Sequence, residues 1–170
     1  QFGGAERVLL ALSRIFPDAP IYTLFYEPEV FDGHFKDREI KTSFLDHSFI
    51  RRRHRLFVPL FAKAAGSLDL GDEYDLIISD SAGWAKGVTY SRGKHIAYIH
   101  TPLRYAWEPE EWLTTLFPKP LVKLATPIIR YLRHWDKTSS RKPDVILANS
   151  EYTAQKIKRF YGRGAAVLHP

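Results

Sequence analysis

Three short runs of apolar residues constrain the fold of this chain more than any other feature. They are Asp75–Ser79 (DLIIS), Ile96–Ile99 (IAYI) and Asp144–Ala148 (DVILA). Because these runs are nearly continuous in apolar residues, each fits a strand of a parallel sheet that is covered on both faces. Segments with helical periodicity separate them along the chain. The pattern therefore predicts an α/β protein with a doubly wound parallel sheet, whose ligand site lies where the strands end.

The remaining elements are predicted from periodicity and from helix-breaking residues. Further strands are expected at Ile21–Tyr26, Ile40–Leu45 and Ala165–Leu168. Helices are expected over residues 5–16, after His47 with Pro59 as a kink or a boundary, from about Lys119 to Arg141 with Pro127 able to kink it, and at Glu151–Tyr161. Asn149 and Ser150 stand where a side chain can cap the last helix.

One strand of the predicted sheet has no counterpart in the sequence. Gly3 and Gly4 open the first helix, and only Gln1 and Phe2 precede them. In this class of sheet a glycine turn of that kind follows a strand and brings backbone amides close to a ligand. We therefore expect the first strand, a central one, to be missing: truncated, disordered or supplied by a neighbour. Its loss should leave strand edges exposed.

Composition restricts the class of protein. The chain has 170 residues, 45% of them hydrophobic, which suits one globular domain with its own hydrophobic core. No apolar run approaches the roughly 18 to 20 residues of a membrane span, and no secretory signal opens the chain. The absence of Cys excludes disulfides and thiolate metal sites and fits the cytosol. Because Met is also absent, we expect the chain to be a fragment.

Positive charge is concentrated in two segments that are also rich in large apolar residues. Residues 47–66 hold five Lys or Arg and no acid, and residues 119–142 hold seven against Asp136 alone. Helices of this composition can lie in the interface of an anionic membrane. The same charge would attract nucleic acid, although no nucleic-acid motif accompanies it. A third interpretation is a core-packed helix with a solvated basic face.

The segment His95–Trp107 (HIAYIHTPLRYAW) carries the strongest candidate for chemistry. Its β-type run ends in His100, and Arg104, Tyr105 and Trp107 follow at once. Ligands of open α/β sheets bind where the strands end, and a histidine there can exchange a proton near neutral pH. The alternative is a hydrogen-bonded structural histidine. A metal hydrolase built on His95, His100 and Asp80 is disfavoured, because their spacing matches no compact metal motif.

A resemblance covers nearly the whole chain, in order. The matching segments are GGAERVL (Gly3–Leu9), FPDAPIYTL (Phe16–Leu24), YDLIISDSAGWAKGV (Tyr74–Val88), HIAYIHTPLRYAWE (His95–Glu108), the Trp135–Asp136 pair, RKPDVILANSEYTAQKI (Arg141–Ile157) and VLHP (Val167–Pro170). In these motifs the chain resembles the N-terminal domain of retaining, nucleotide-sugar-dependent glycosyltransferases of family 4 (glycosyl transferases group 1). It most resembles the bacterial mannosyltransferases that build polysaccharides and O-antigens.

The resemblance implies a fold and a reaction. Residues 1–170 would form one of two Rossmann-like domains, with the C-terminal donor-binding domain absent and the isolated fragment inactive. The reaction would transfer a sugar with retention from a nucleoside-diphosphate sugar, GDP-mannose by first choice, to a lipid-linked glycan or polysaccharide. A UDP-hexose donor and a non-catalytic Rossmann-like binding module stay open as alternatives. No metal or other cofactor is expected, and no nucleic-acid partner.

The resemblance also implies roles for single residues. His100 would lie near the transferred sugar and contribute to the reacting centre. The remaining donor- or acceptor-binding candidates are Gly3 and Gly4 at the nucleotide sugar, Ser81 at the strand-end rim, Arg104, Tyr105 and Trp107 on the acceptor side, and Asn149 and Ser150 at the cleft. Trp135 and Asp136 are interpreted as structural, with Arg133 or Lys137 as the expected ion-pair partner of Asp136. Tyr98 is expected in the core.

The first basic segment gains a meaning from the resemblance. Acceptors of such enzymes are commonly lipid-linked glycans at the cytoplasmic face of the membrane. We therefore expect Arg51, Arg52, Arg53 and Arg55 to contact an anionic membrane surface. The protein would be cytoplasmic and peripherally associated with the inner face of the cytoplasmic membrane.

Overall fold

The computed structural model describes residues 3–31, 33–116, 118, 122 and 124–170. Its helices are α1 (Gly4–Ile15), α2 (Ser48–Arg52), α3 (His54–Ser67), α4 (Arg104–Trp107), α5 (Glu110–Leu116), α6 (Thr126–Ser139) and α7 (Glu151–Tyr161). Its strands are β1 (Ile21–Thr23), β2 (Ile40–Thr42), β3 (Leu76–Ser81), β4 (Lys94–Ile99), β5 (Val145–Ala148) and β6 (Ala166–Val167). Short 3-10 turns occupy Pro28–Phe31 and Ala85–Gly87.

The strands form two parallel sheets, which confirms the predicted α/β class. Strands β3, β4, β5 and β6 pair in that order, and β1 pairs with β2 in a smaller sheet. In the larger sheet Ala97 of β4 stands opposite Ser79 on one side and Ile146 on the other. Strand β4 is therefore central, and Ala97, Tyr98 and Ile99 are buried in it, as predicted for Tyr98.

A cavity of about 440 Å³ separates the two sheets. Consecutive residues of both flanking segments line it, Ile21–Phe25 on one side and Leu76–Ser81 on the other, and Leu9 and Leu12 of α1 close it. Side chains alternate between the faces of a strand, so a cavity that touches consecutive residues borders the strand edges. The cavity thus lies between the edges of β1 and β3, and the expectation of a further central strand stays a prediction.

Two predicted helix features differ in the structure. The basic segment after His47 breaks at Arg53, between α2 and α3, whereas Pro59 lies inside α3 without ending it. Pro127 stands in the first turn of α6, where its missing N–H costs no intrahelical bond, so it starts this helix rather than kinking it. Residues 119–121 and 123 of the predicted long helix lie outside the described residues. Helices α4 and α5 were not predicted.

The terminal helix agrees with its prediction residue for residue. Helix α7 covers Glu151–Tyr161 and ends at Gly162, which has a φ of +71°. Glycine adopts this left-handed conformation without the steric cost that a Cβ would bring. Helix α1 begins and ends one residue earlier than the helix predicted over residues 5–16.

A buried ion pair joins three segments of the fold. The ammonium group of Lys86, in the turn after β3, donates to the Asp136 carboxylate on α6 and to the carbonyl oxygen of Gly83. Both charged side chains are at most 1% exposed. The other carboxylate oxygen of Asp136 accepts from Trp107 Nε1 on α4 at 2.7 Å. Burial lowers the pKa of Lys86, and the negative charge of Asp136 opposes that shift.

The observed ion-pair partner of Asp136 is Lys86, whereas the sequence led us to expect Arg133 or Lys137. Lys137 is exposed, and the Arg133 guanidinium donates to the carbonyl oxygen of Ala106 instead. The structural interpretation of Asp136 agrees with its burial, but Lys86 carries no sequence signal that singles it out.

Removal of one charge from the pair should destabilise the protein strongly. Asp136→Ala leaves the Lys86 ammonium buried without its counter-charge, which should lower the free energy of unfolding by about 3–5 kcal/mol. The double variant Lys86→Met/Asp136→Leu leaves no buried charge and should lose clearly less. Urea unfolding of both variants and the parent protein measures the difference. Equal losses in the single and double variants would contradict this account.

A buried histidine near the start of β4 should make the stability of the fold depend on pH. His95 is fully buried, with Nε2 2.8 Å from the Ser79 hydroxyl oxygen and Nδ1 3.3 Å from that of Tyr90. Burial lowers the pKa of His95 to about 4. Between pH 6.5 and 4 the unfolded chain therefore binds a proton that the folded protein excludes. Stability is present above this window and falls as the pH falls through it.

The pKa shift of His95 sets how much unfolding free energy is lost on acidification. A shift from 6.5 to about 4 corresponds to about 3 kcal/mol of unfolding free energy lost on acidification. His95→Gln removes the titrating ring and should reduce the loss between pH 6.5 and 4 by about that amount. Urea unfolding at several pH values measures it, and NMR titration of the His95 ring reports its pKa directly. An unchanged slope in the variant would argue against this assignment.

Candidate functional site

The carboxyl ends of the central strands place the predicted site residues together. The His100 N–H donates to the carbonyl oxygen of Ser81 at 3.1 Å, just beyond the paired ends of β4 and β3. Across β4, the Asn149 N–H donates to the carbonyl oxygen of Ile99 at 3.4 Å. The Thr153 hydroxyl donates to the carbonyl oxygen of His100 at 3.1 Å. One edge of the larger sheet therefore brings His100, Ser81 and the start of α7 together.

His100 is hydrogen-bonded to a carboxylate at this edge. Its Nε2 lies 2.6 Å from Asp80 Oδ1, and the two side chains are 13% and 6% exposed. Burial raises the pKa of Asp80, while the hydrogen bond to His100 opposes the rise and the charge of Glu6 adds to it. When Asp80 is ionised it can only accept, so the Nε2–H of His100 donates this hydrogen bond. The contact orients the imidazole, and in the neutral form of such a ring Nδ1 is the acceptor nitrogen.

Sequence reasoning did not assign Asp80 to this site. Asp80 was considered only together with His95 and His100, as part of a disfavoured metal site, and the fold separates those two histidines. Five residue steps along β4 place His95 about 16 Å from His100, at the other end of the strand. Within the ranges that the structure describes, no group of three or more His, Asp or Glu side chains could hold a metal ion. The sequence signal that could have assigned Asp80 to the site is its position as a polar residue near the end of β3, in DLIISDS.

The first helix begins close to the same edge. Gly3 is the N-cap of α1, and Glu6 stands in its first turn. A Cβ on Gly3 would lie 2.7 Å from Glu6 Oε2, so the carboxylate folds back over the start of the helix, where the helix dipole favours negative charge. A Cβ on Gly4 would meet no atom within 4 Å. The contact of Gly3 and Gly4 with a nucleotide sugar stays a prediction.

Both predicted binding serines, Ser81 and Ser150, hold backbone turns. The Ser81 hydroxyl oxygen accepts from the N–H groups of Gly83 and Ala85, both at 3.1 Å. The Ser150 hydroxyl oxygen accepts from the N–H of Thr153 at 3.2 Å and caps α7, which confirms one of the two predicted caps. Each serine therefore shapes the rim of the site through the backbone, and Asn149 stands beside them with its Oδ1 3.2 Å from the Ser150 hydroxyl.

The residues after His100 divide into packed aromatics and an exposed cation. Trp107 stacks on Phe160 with ring centroids 4.3 Å apart, and its N–H is bound by Asp136. The Tyr105 ring packs edge-on against Trp112 at 5.4 Å. Arg104 is more than half exposed, with its Nε 3.6 Å from a Glu108 carboxylate oxygen. Arg104 is therefore the member of this predicted set whose charge faces solvent.

The four arginines predicted to contact a membrane are not equivalent. Arg51 turns inward, where it donates to Asp46 Oδ1 at 2.7 Å and to the carbonyl oxygen of Tyr26 at 2.8 Å. Arg52, Arg53 and Arg55 are exposed. Among the described residues, no helix is long and apolar enough to cross a membrane.

These features define the class of protein first. A parallel α/β sheet with a carboxylate-oriented histidine and two helix starts near its carboxyl edge is a ligand-binding domain of the Rossmann-like type. Residues 2–170 match the family model described as Glycosyltransferase Family 4, and the chain belongs to that family. No curated protein and no solved structure matches it. The sequence resemblance to this family is thus confirmed, and the chain is a glycosyltransferase domain.

The role of Ser150 as a helix cap can be measured. Ser150→Ala removes the acceptor for the Thr153 N–H and should lower the unfolding free energy by about 1 kcal/mol. Asn149→Ala is the matched control, because the Asn149 side chain contacts the Ser150 hydroxyl, and the loss of stability should be smaller. Thermal and urea unfolding compare the two variants. A larger loss in Asn149→Ala would contradict the assignment of Ser150 as the cap.

Proposed function

We propose that this domain takes part in sugar transfer, with retained anomeric configuration, from a nucleoside-diphosphate sugar to a lipid-linked glycan or polysaccharide. Membership of Glycosyltransferase Family 4 supports a nucleotide-sugar donor and a glycan acceptor in general. The observation that carries the site assignment is the His100–Asp80 pair at the carboxyl edge of the sheet. GDP-mannose is the proposed donor, on the sequence resemblance described above.

The proposed reaction exchanges one bond at the anomeric carbon for another. The bond from this carbon to the diphosphate oxygen breaks, and a bond to the acceptor oxygen forms on the same face. The diphosphate leaves with the bonding electron pair, and the acceptor proton passes to a phosphate oxygen. Negative charge grows on the leaving group, and backbone N–H groups at a helix start stabilise such charge. In this proposal the starts of α1 and α7 face the leaving group, and a second domain completes the donor site.

In the proposed reaction His100 binds the sugar, and Asp80 orients the ring of His100. The acceptor nitrogen Nδ1 can take a hydrogen bond from a sugar hydroxyl. The pair can also stabilise positive charge that develops at the anomeric carbon. Asp80 is a positioning residue, since its carboxylate fixes the tautomer and the ring plane of His100. Arg104 is proposed to contact the acceptor, because its guanidinium is exposed beside the site-bearing segment.

The place of the reaction is part of the proposal. A lipid-linked acceptor would restrict the enzyme to a membrane surface, and we propose the inner face of the cytoplasmic membrane. The absence of Cys fits a reducing compartment. The exposed arginines Arg52, Arg53 and Arg55 support contact with anionic lipid.

The direct test is transfer by the full-length protein with a panel of nucleotide sugars and a lipid-linked acceptor. His100→Ala should lower kcat by about 100-fold or more, since a side chain that acts in the transition state contributes on that scale. Asp80→Asn should cause a smaller fall and a changed pH profile, because the imidazole remains but loses its anionic partner. His134→Ala, at an exposed position of α6, is the matched control and should keep full activity.

The outcomes separate the parts of this proposal. Transfer from a UDP-hexose alone would keep the reaction and replace GDP-mannose as donor. An inverted anomeric centre in the product, read by NMR, would contradict retention. Full activity in His100→Ala would make this histidine structural. Binding of nucleotide sugars without transfer from any of them would favour a binding module.

A further inference from the structure

A basic and apolar surface stands on the outside of α2 and α3, at the corner where the two helices meet. Three of its side chains are apolar and exposed: Phe49 at 58%, Leu56 at 58% and Leu60 at 43%. Its cations are Arg52, Arg53, Arg55 and Lys63, all of them exposed. We call these seven residues the α2–α3 corner.

The apolar members of this corner are not needed for the core. Helix α3 already buries an inner face, made of Val58, Phe61, Ala62, Ala64 and Ala65. Leu56 and Leu60 lie one turn apart on the outside of the same helix, so they form a second apolar stripe. Phe49 stands over α3 with its ring edge-on to Phe57, at 6.2 Å between centroids. A core-packed helix with a solvated basic face would not expose these three large side chains together.

The charges of the corner are of one sign, and no acidic side chain pairs with them among the described residues. In the part of the chain that the structure describes, no ion pair is formed by any of the four cations, and residues 47–66 contain no acid. The Arg53 guanidinium lies 4.7 Å from the centre of the Phe49 ring, so cation and apolar surface are in direct contact. Arg51 provides the contrast within the same helix, because Asp46 and Glu27 lie beside its guanidinium.

The mixture of apolar and cationic groups identifies the partner. At an anionic membrane, apolar side chains enter the boundary of the acyl chains while cations remain at the level of the lipid phosphates. Nucleic acid offers phosphates as well, but a duplex backbone provides no apolar layer for Phe49, Leu56 and Leu60. The charge and the exposed apolar area of the corner are therefore complementary to a lipid surface.

The position of the corner suits an acceptor that lies in a membrane. Helix α2 begins at Ser48, six residues after β2 ends, and its Arg51 binds the carbonyl oxygen of Tyr26, which follows β1. The corner therefore stands beyond the carboxyl ends of β1 and β2. We propose that the α2–α3 corner docks the protein on anionic lipid by inserting Phe49, Leu56 and Leu60. This inference rests on the proposed function only for its purpose, since docking requires no donor.

Docking is tested with the full-length protein and vesicles of phosphatidylcholine, with or without an equal part of phosphatidylglycerol. The parent protein should bind the mixed vesicles at least tenfold more tightly than the neutral ones. Arg52→Glu/Arg53→Glu/Arg55→Glu should lower this affinity tenfold or more. Leu56→Ser/Leu60→Ser keeps every charge and should also lower the affinity severalfold, and this difference from the parent protein should persist when added salt screens the charges. Circular dichroism confirms that each variant is folded.

A second basic region supplies the matched control. Arg130→Glu/Lys137→Glu/Arg141→Glu makes the same change in net charge at exposed positions of α6 and the turn after it. It should change vesicle affinity less than threefold. An equal loss in this variant would mean attraction by net charge alone and would overturn the assignment to the α2–α3 corner. Unchanged binding in the corner variants would overturn it as well, as would tighter binding of duplex DNA or RNA through the same residues.

Transfer assays keep this inference separate from the proposed function. With a short water-soluble acceptor, the corner variants should retain the parent kcat, because none of the substituted residues lies at the His100 edge. With an acceptor embedded in anionic vesicles, their KM should rise at least tenfold. Vesicle binding without any transfer would leave the docking surface standing and refute the proposed reaction. Transfer from vesicles at parental KM in the corner variants would refute the docking surface alone.

Discussion

The buried contact between Lys86 and Asp136 orders the segments around the site. It joins the turn after β3 to α6, and through Trp107 it also holds α4, the helix that directly follows the His100 loop. A charge without its partner is costly in a dry interior, so the three segments have one arrangement that satisfies both groups. The aromatic packing around this point follows from that arrangement, including the stack of Trp107 on Phe160.

The carboxyl edge of the larger sheet combines two serines that hold backbone turns with the hydrogen-bonded pair His100–Asp80. Ser81 and Ser150 use their hydroxyl groups on neighbouring backbone amides, which fixes the turn after β3 and the start of α7. Between them, Asp80 fixes the ring of His100. The hydroxyl groups of both serines are occupied by backbone amides, so the proposed reaction assigns the chemistry of this edge to the imidazole, the exposed guanidinium of Arg104 and the helix starts. That division suits the proposed diphosphate leaving group, whose charge is spread over several oxygens.

The basic surface illustrates why net charge is a poor guide to function by itself. Arg51 and Arg52 are neighbours in sequence, yet one binds Asp46 inside the fold and the other faces solvent. The division of the strands into two sheets, with a cavity between them, is a second feature that the sequence does not reveal. Periodicity alone predicts one sheet, whereas the structure divides the strands into two groups and lines the gap with consecutive residues of β1 and β3.

The sequence by itself determined the alternation of strands and helices, the helix Glu151–Tyr161 with its serine cap, and the place of His100 after the central strand. These features depend on residue periodicity and on neighbours a few positions away, which can be read along the chain. The tertiary structure decided the partners: Asp80 for His100, 20 residues apart, and Lys86 for Asp136, 50 residues apart. Such pairs form only when the fold brings distant segments together and removes them from water. The chain has 25 Lys and Arg residues, and no local pattern distinguishes Lys86 from the others.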